Sequence, residues 1–542
     1  MSRSLLALCA ALAVASAPAA SWAKAPRLTL VITIDSGGTD VFQRARPNFK
    51  SGLAQAISQG AYFPHVRYPY AETVTAAGHA TLATGASPWR HGVVSNHIIN
   101  RGTGKAEAIF YDPDHPPLGA PAGLNDSSPA NLEAETLADR LRLSTYAHGK
   151  AISISGKARA SIALAGRLGT AWWFDEETGQ FVTGTWYAKE FPAWVKALNE
   201  KRPADALFAK QWTPLLPTKA LAGEDDRSWE TDLYALGRTF PHSVTGGLSA
   251  PGRQFYAALA STPLMDDLLV QMAKAAIDGE GLGKDDVPDL LAVSFSPIDR
   301  IYHLYGPYSW EVQDALARLD RNVGELIAAA EKAAGKGNVL VAITADHGGA
   351  ALPEEWLAAG LPAARVSPAR LQAGLNEELK KRFGSALCVG IEEVDVYLDD
   401  PAIAEKKLDG AAVRRAAAQW LAAQPDIAFA VARDDLYQAD GLRGYLPALQ
   451  RGYFPRRSGD VLMIAREYHV VSDHPTGTSH GTPYAYDALV PLVLYGRNVR
   501  PGLYQQEIHA TDIAPTVAAL MELAPPAMSE GVPRAEAMNG AK

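Results

Sequence analysis

Short apolar runs alternate with longer amphipathic stretches over much of the chain. The runs are rich in β-branched residues and predict buried strands, at 28–34, 290–295, 339–344 and 489–495. The stretches between them have helical spacing and predict helices at 47–59, 76–83, 311–335 and 511–523. Strands that alternate with helices predict an α/β fold, with a mostly parallel central sheet flanked by helices.

Two long stretches, 98–285 and 360–470, interrupt this alternation. The second contains a predicted helix at 411–422 and β-like runs at 426–432 and 460–465. No low-complexity linker or fixed-period repeat separates either stretch from the rest of the chain. We therefore expect one catalytic domain over residues 24–542, with these two stretches inserted as cap regions over its core.

The N-terminus has the pattern of a secretory signal peptide. Arg3 precedes an apolar run at 5–14, and small residues lead to Ser21-Trp22-Ala23. This pattern predicts a signal peptide at 1–23, with an uncleaved hydrophobic anchor as the alternative. The apolar run is short for a membrane span, and no later segment has about 18 uninterrupted apolar residues. We expect a periplasmic or secreted protein with no stable membrane anchor.

Composition narrows the class of protein further. The chain has 542 residues, of which 47% are hydrophobic and 20% charged, and this excludes disorder, collagen and coiled coil as the main structure. Nucleic-acid binding requires a basic face, and a net charge of -8 gives no indication of one, so we expect no nucleic-acid binding as such. Removal of Cys9 with the signal peptide would leave Cys388 as the only cysteine, so we expect no internal disulfide.

Acidic residues and histidines follow the predicted strands. Asp35 ends the first run, Asp299 follows the second, and Asp346 and His347 follow the third. Sites in parallel sheets gather beyond the carboxyl ends of the strands. The motif Asp299-x-x-x-His303 places two possible metal ligands on one helix face, although such a pair by itself usually lies on a face exposed to solvent. With His480, these residues are three aspartates and three histidines, which is enough for two metal centres. Mixed nitrogen and oxygen donors suit zinc better than manganese.

A threonine and three possible anion-binding residues lie elsewhere in the chain. Thr75 precedes a helix of small residues, where unpaired backbone N–H groups favour a phosphoryl group; without a metal nearby, it would be an ordinary N-cap residue. Lys157 and Arg159, two apart on a predicted extended segment, would point the same way and could bind phosphate oxygens, or be two solvated residues at a strand edge. Asn96 could donate its amide to the same anion, although such a residue is more often part of a turn.

In combination, these motifs resemble the alkaline phosphatase superfamily, specifically the bacterial phosphate-irrepressible alkaline phosphatases. The resemblance covers residues 27–530. The matching segments are Asp35 at its strand end, Thr73-Val-Thr75-Ala-Ala-Gly-His, Thr84-Gly-Ala-Ser-Pro-Trp-Arg-His91-Gly with Asn96, Lys157-Ala-Arg159, Asp299-x-x-x-His303, Asp346-His347-Gly, Ser479-His480-Gly and Thr511-Asp-Ile-Ala-Pro-Thr516.

The resemblance implies an enzyme with two Zn²⁺ ions that hydrolyses small-molecule phosphate monoesters. One ion would be held by Asp299, His303 and His480. The other would be held by Asp35, Asp346, His347 and Thr75. Thr75 would be the nucleophile and would become phosphothreonine transiently. The phosphoryl oxygens would be bound by Asn96, Lys157 and Arg159.

The chain departs from the pattern after the first aspartate. It has Ser36-Gly37-Gly38, where family members often have larger residues, so the role of Ser36 is open. The lysine pattern resembles that of members in which lysine replaces a third, magnesium ion, so we expect no magnesium there.

Four other classes of protein are alternatives to a phosphomonoesterase. Phosphodiesterases and nucleotide pyrophosphatases of the superfamily share the threonine, the asparagine and both metal sets, but generally lack the Lys-x-Arg pair. A sulfatase is disfavoured because Ala86 stands where its modified Cys or Ser would be. A phosphoglycerate mutase is disfavoured by the predicted signal peptide. A non-catalytic exported binding protein stays open from composition alone, and the sequence predicts neither the natural substrate nor the oligomeric state.

Overall fold

The structure is a computed structural model that describes residues 24–123, 126–437 and 444–539. The predicted signal peptide at 1–23 lies outside the described residues. Within the described ranges, no helix has both the length and the apolar character that a membrane crossing requires.

The described residues form a series of strands and helices that we number in chain order. The strands are β1 Leu28–Ile34, β2 Ala61–Arg67, β3 His97–Asn100, β4 Lys105–Ala108, β5 Pro117–Leu118, β6 Ala151–Ser155, β7 Thr170–Asp175, β8 Gln180–Gly184, β9 Gln211–Trp212, β10 His242–Ser243, β11 Asp289–Phe295, β12 Val339–Thr344, β13 Ala364–Val366, β14 Cys388–Glu392, β15 Asp395–Leu398, β16 Ile427–Ala432, β17 Val461–Ala465, β18 His469–Val471, β19 Leu489–Gly496, β20 Gly502–Leu503 and β21 Ile508–His509. The α-helices are α1 Thr39–Ala45, α2 Gly52–Gln59, α3 Thr75–Thr84, α4 Pro88–His91, α5 Leu137–Ser144, α6 Ala158–Ala165, α7 Ala193–Glu200, α8 Arg253–Ala260, α9 Leu264–Glu280, α10 Pro297–Tyr305, α11 Trp310–Ala334, α12 Pro353–Ala358, α13 Pro368–Phe383, α14 Asp400–Glu405, α15 Gly410–Ala422, α16 Leu446–Gly452, α17 Ala485–Ala488 and α18 Ile513–Leu520.

The core is one large twisted sheet with the strand order β20-β2-β19-β12-β1-β11-β6-β7-β8-β5, and β21 also pairs with β2. Its five central strands, from β12 to β7, run parallel to one another. The flanking strands β19 and β8 pair antiparallel with this parallel centre. The predicted α/β fold, with a mostly parallel central sheet and flanking helices, is confirmed.

Strand β1 lies in the middle of the sheet, between β11 and β12. All seven of its residues are buried, as expected for a parallel strand covered on both faces. Because the three strands are parallel and in register, their carboxyl ends meet at one edge. Asp35, Asp299 and Asp346 follow these ends, so the topology alone brings the three carboxylates together.

The predicted elements mostly match, with differences at their boundaries. The strands at 28–34 and 339–344 are found with the predicted limits, and the long helix is found at Trp310–Ala334. The helix predicted at 47–59 forms only over Gly52–Gln59. A side chain from a distant part of the chain caps the helix at this point. The carboxylate of Asp320 accepts hydrogen bonds from the backbone N–H groups of Lys50, Ser51 and Leu53.

The interpretation of the whole 98–285 stretch as a cap region was wrong. Four of its strands, β5 to β8, belong to the central sheet, and β6 runs parallel to β11. These strands are only two to six residues long, and buried serines such as Ser153 and Ser155 interrupt the apolar pattern of β6. The pattern therefore lacked the continuous apolar run that marks a buried strand.

The 360–470 stretch builds a separate substructure in its described residues. It has a four-stranded antiparallel sheet with the order β14-β15-β17-β16, and α13 and α15 pack on it. Its apolar core, which includes Leu375, Val413 and Val461, is distinct from the core of the main sheet. At the turn between β14 and β15, Glu393 lines the same small cavity as His480. A cap role for this stretch stays a prediction.

Candidate active site

Six of the predicted metal-ligating side chains lie together at the carboxyl edge of the parallel strands. Asp35, Asp346 and His347 are fully buried. Asp299, His303 and His480 each offer a ligand atom within 4.8 Å of the others, and so do Asp35, Asp299 and His347. Because Asp299 belongs to both sets, the two predicted groups are contiguous. We call Asp299, His303 and His480 the first group, and Asp35, Asp346 and His347 the second group; the sequence predicts Asp299 in the first group only.

In the first group, two histidines converge on one carboxylate oxygen. The Nε2 atoms of His303 and His480 each lie 3.4 Å from Oδ1 of Asp299. On the opposite side of each ring, Nδ1 lies 2.7 Å from the carbonyl oxygen of Thr478 in His303, and 2.9 Å from that of Thr73 in His480. A carbonyl oxygen only accepts, so both Nδ1 atoms carry protons, and a neutral ring presents its Nε2 lone pair to the carboxylate.

A cation placed among these acceptors would stabilise their convergence. Burial alone would raise the pKa of Asp299, but Lys157 and His303 hold that pKa well below its usual value. Burial lowers the pKa of His303, and the charge of Asp299 outweighs this and raises it. Both shifts show that the position between these groups favours positive charge, which a proton or a metal ion can supply. The donor set fits a metal ion.

The second group has the same character. His347 Nδ1 lies 2.7 Å from the Gly348 carbonyl oxygen, so Nε2 is the ligand atom of the neutral ring. Nε2 lies 3.5 Å from Oδ1 of Asp35 and 3.4 Å from Oδ2 of Asp346, and it makes no hydrogen bond within the described residues. Burial lowers the pKa of His347 to about 3, and burial with the nearby charge of Asp346 raises that of Asp35. A lone pair facing two carboxylates also fits a metal ion.

Thr75 is the first residue of α3, and Val74 before it is extended. Its side chain is fully buried, and Oγ1 has no hydrogen-bond partner in the described part of the chain. The helix packs directly on the strand end that carries Asp346, because a Cβ added at Gly78 would lie 2.2 Å from the carbonyl oxygen of Asp346. The hydroxyl is thus buried at the N-terminus of a helix that packs on the strand end carrying Asp346, a position that suits an anion.

His79 is a residue of this site to which the sequence analysis gave no role. Its Nδ1 lies 2.8 Å from the carbonyl oxygen of Thr75 and 3.1 Å from Oδ2 of Asp346. Its Nε2 lies 2.8 Å from the hydroxyl of Ser294 in β11. This buried ring joins the N-terminal turn of α3 to two strand ends. Its position four residues after Thr75, on the same helix face, was the available signal.

The three predicted anion-binding residues line one cavity of about 340 Å³. Oδ1 of Asn96 accepts a hydrogen bond of 2.9 Å from the backbone N–H of Ala76, so the amide NH₂ group remains available as a donor. Arg159 lies in the first turn of α6, and its Nε makes no hydrogen bond within the described ranges. Burial lowers the pKa of Arg159, but a guanidinium keeps its charge in proteins.

Lys157 has a different environment from the one predicted. It is extended, as expected, but α6 begins at the next residue, so the extended segment does not reach Arg159. Its Nζ lies 2.7 Å from Oδ2 of Asp35 and 2.5 Å from Oδ2 of Asp299. The ammonium therefore bridges the two carboxylate groups as well as lining the cavity.

Ser36 lies between the two groups in a strained conformation. Its φ is +61°, a left-handed value that costs a residue with a side chain roughly 1–2 kcal/mol. Its backbone N–H donates to Oδ1 of Asp346 at 3.2 Å, and the residue is fully buried. No local sequence pattern predicts this conformation, because Gly37 and Gly38 beside it are the residues that favour positive φ.

Comparison with known proteins gives full-length similarities. The type I phosphodiesterase / nucleotide pyrophosphatase family matches residues 29–484. Alkaline phosphatase PafA of Elizabethkingia meningoseptica is 32% identical over 94% of both chains. A calcium-transporting ATPase of Myroides odoratus is 30% identical over 95% of both chains. Alkaline phosphatase PhoV of Synechococcus elongatus is 30% identical over 93% of this chain and 92% of its own.

The chain is also similar to solved structures of PafA. The crystal structure of wild-type PafA superposes with a TM-score of 0.89 at 31% identity, over 95% of this chain and 99% of PafA. A second PafA structure, with the same score and coverage, has a threonine, an asparagine, a lysine and an arginine substituted.

Proposed function

The chain belongs to the type I phosphodiesterase / nucleotide pyrophosphatase family of the alkaline phosphatase superfamily and is a phosphatase, and we propose that it hydrolyses phosphate monoesters with Thr75 as nucleophile and two zinc ions. The observation that carries the proposal is the buried Thr75 hydroxyl, which has no hydrogen-bond partner in the described residues and lies at the N-terminus of a helix that packs on the strand end carrying Asp346.

The first zinc ion would be held by Asp299, His303 and His480. The second would be held by Asp35, Asp346 and His347, with Thr75 as a further ligand. The mixed nitrogen and oxygen donors and the neutral tautomers set by backbone carbonyls support zinc. When bound, such ions lower the pKa of a coordinated hydroxyl and offset negative charge on the attacking and leaving oxygens.

Thr75 carries the covalent step. Its Oγ forms a bond to phosphorus as the P–O bond to the leaving group breaks, which gives a phosphothreonine and an alcohol. Water then attacks the phosphothreonine, and inorganic phosphate leaves as the Thr75 oxygen is displaced. Because Thr75 begins α3, a phosphoryl group on its oxygen would lie against the positive end of the helix dipole, which supports this role.

The cavity side chains bind the phosphoryl oxygens. Arg159 supplies a planar pair of donors, Asn96 an amide and Lys157 a point charge, and these offset charge in the transition state. The substituted PafA structure supports this assignment: its four altered residues are of the same types, in the same order, and the intervals Thr–Asn and Lys–Arg equal those of Thr75–Asn96 and Lys157–Arg159.

The same cavity favours monoesters over diesters. A monoester has one more charged non-bridging oxygen than a diester, and Lys157 and Arg159 match that charge. The two other arginines that line the cavity, Arg253 and Arg300, each form an ion pair with a glutamate. Diester hydrolysis, which the family description names, stays the second candidate because the other site residues would serve it equally well. A non-catalytic binding protein is set aside because the chain is 32% identical to an alkaline phosphatase over 94% of both chains.

Export completes the proposal. We propose cleavage after Ala23 and a periplasmic or secreted enzyme, on the basis of the N-terminal pattern. N-terminal sequencing of the protein from the periplasm or the medium tests this, and an intact Met1 in the exported fraction contradicts it.

The test of the proposed function combines turnover with metal content. The Thr75→Ala variant should lose on the order of 10⁴-fold in kcat with p-nitrophenyl phosphate, because removal of a nucleophile leaves only binding and electrostatic terms. Thr75→Ser should keep measurable turnover, since it retains a hydroxyl. Wild type should contain about two zinc ions per chain. Wild-type turnover in Thr75→Ala, or a fully active enzyme without zinc, would contradict the proposal.

A further inference from the structure

Ser36 contacts candidate ligands of both metal groups, and the proposed function gives it no role. It follows the candidate ligand Asp35, and a tight turn holds it in place: Gly37 N–H donates to the Ile34 carbonyl at 2.9 Å, and Gly38 N–H to the Ser36 carbonyl at 2.9 Å. The left-handed φ of +61° would be relieved by glycine. A strained buried residue at a functional site indicates that its side chain contributes something that glycine would not.

The hydroxyl of Ser36 contacts a ligand from each metal group. Its Oγ lies 2.7 Å from Oδ1 of Asp299, the oxygen that faces His303 and His480. It also lies 3.3 Å from Nδ1 of His347. A third acceptor, the carbonyl oxygen of Gly348, is more distant at 3.4 Å.

The directions of these hydrogen bonds follow from the chemistry of the partners. Asp299 Oδ1 only accepts when the carboxylate is ionised, so the single hydroxyl proton points to it. His347 Nδ1 carries a proton, because it lies 2.7 Å from the Gly348 carbonyl oxygen, and that proton is shared with the Ser36 lone pair. The result is a directed chain from the His347 ring through the Ser36 hydroxyl to the Asp299 carboxylate.

We infer that Ser36 is a positioning residue, whose hydroxyl fixes the orientations of Asp299 and His347 and thereby couples the two metal groups. The inference rests on the proposed function, since it assumes that these residues bind metal. Lys157 holds Oδ2 of Asp299, and Ser36 holds Oδ1, so the plane of the carboxylate is fixed at both oxygens. Hydrogen bonds that orient metal ligands typically change metal affinity by 10- to 100-fold when they are removed.

The test compares Ser36→Gly and Ser36→Ala with wild type in a zinc competition titration against a chromogenic chelator. Both variants should bind zinc about 10- to 100-fold more weakly. Ser36→Gly separates orientation from stability, because glycine relieves the left-handed φ. Its thermal midpoint in excess EDTA should equal or exceed that of wild type, even as its zinc affinity falls.

Ser153→Ala is the matched control. Ser153 is a buried serine of the same sheet, whose hydroxyl contacts Ser161 and no candidate ligand, so this variant should keep wild-type zinc affinity. Zinc affinity of Ser36→Gly within twofold of wild type overturns the inference. So does an equal loss of affinity in Ser153→Ala. A wild type that binds no zinc instead contradicts the proposed function, so the two failures are distinguishable.

Discussion

The ammonium nitrogen of Lys157 lies 2.7 Å from Oδ2 of Asp35, and both side chains are almost fully buried. The same nitrogen contacts Asp299, so one lysine neutralises carboxylates of both candidate metal groups. A side chain predicted only to bind phosphate thus also counters the negative charge that the metal ligands bring into the core. That role does not depend on substrate.

Replacement of Lys157 should therefore destabilise the metal-free protein more than it destabilises the zinc-bound protein. In Lys157→Met, Asp35 and Asp299 lose their shared counter-ion, and breaking a buried ion pair typically costs about 3–5 kcal/mol. Denaturant unfolding in EDTA measures the loss, which should shrink when zinc is added. Lys274→Met is the control, because its ion pair with Glu325, at 3.4 Å, is about half exposed; it should cost at most about 1 kcal/mol. Equal effects of the two variants would contradict the account.

Arg159 should distinguish monoesters from diesters. Arg159→Ala removes a partly buried cation from the cavity, so kcat/KM for a monoester should fall about 10²- to 10³-fold, as for loss of one oxyanion donor. The loss for a diester should be less than about tenfold. Arg253→Ala, at the exposed rim of the same cavity, should change neither substrate by more than about twofold. An equal loss for both substrates in Arg159→Ala would count against the monoester assignment.

Gly78 should tolerate no side chain. A Cβ there would lie 2.2 Å from the Asp346 carbonyl oxygen, and a shift of either backbone would displace Thr75 or the candidate ligand Asp346. Gly78→Ala should cost about 1–3 kcal/mol in unfolding free energy and should also weaken zinc binding. Gly410→Ala, where the nearest atom is the flexible end of Arg414, should be nearly neutral. An unchanged unfolding midpoint for Gly78→Ala would show that α3 packs less closely than the structure describes.

Asp266 should make stability depend on pH. It is fully buried in α9, neither carboxylate oxygen has a hydrogen-bond partner in the described residues, and burial raises its pKa well above the usual value. The folded state therefore binds this proton more tightly than the unfolded state does. Its contribution is complete below the unfolded pKa near 4 and is lost as the pH rises towards the folded pKa.

Asp266→Asn should remove this dependence, because the amide stays neutral. The stability advantage of the variant should grow by about 1.4 kcal/mol per pH unit above pH 4 and level off beyond the folded pKa. Unfolding curves of both proteins across the pH range measure it. A constant difference at all pH values would mean that Asp266 has the same pKa in the folded and unfolded states, and would contradict this prediction.

The fold class could be predicted from the sequence, and so could the gathering of the candidate ligands at one edge of the sheet, because both rest on local patterns. A buried parallel strand reads as a continuous apolar run, and the acids at its end need no tertiary information, as Asp35 and Asp346 show. Side chains that act through long-range contacts were missed for the opposite reason. Ser36 and Asp299 are 263 positions apart, so no local pattern could predict their hydrogen bond.

Other misses have the same physical origin. His79 lay within a recognised motif, but its contact with Asp346 depends on how α3 packs on β12. The β6 strand was not counted in the sheet because its alternating serines are buried against helix α6, where Ser161 donates to the Ser153 carbonyl at 3.0 Å. When buried polar residues form hydrogen bonds with tertiary partners, a buried strand has the alternating sequence pattern of a half-exposed strand.

The most direct test of the central claim is the stereochemical course of hydrolysis of a monoester made chiral at phosphorus with oxygen isotopes and sulfur. Attack by Thr75 followed by attack of water is two in-line displacements, each of which inverts the phosphorus. The account predicts overall retention of configuration in the product, whether or not the phosphothreonine accumulates. Overall inversion would mean that water attacks the ester directly, and would contradict the assignment of Thr75 as the nucleophile.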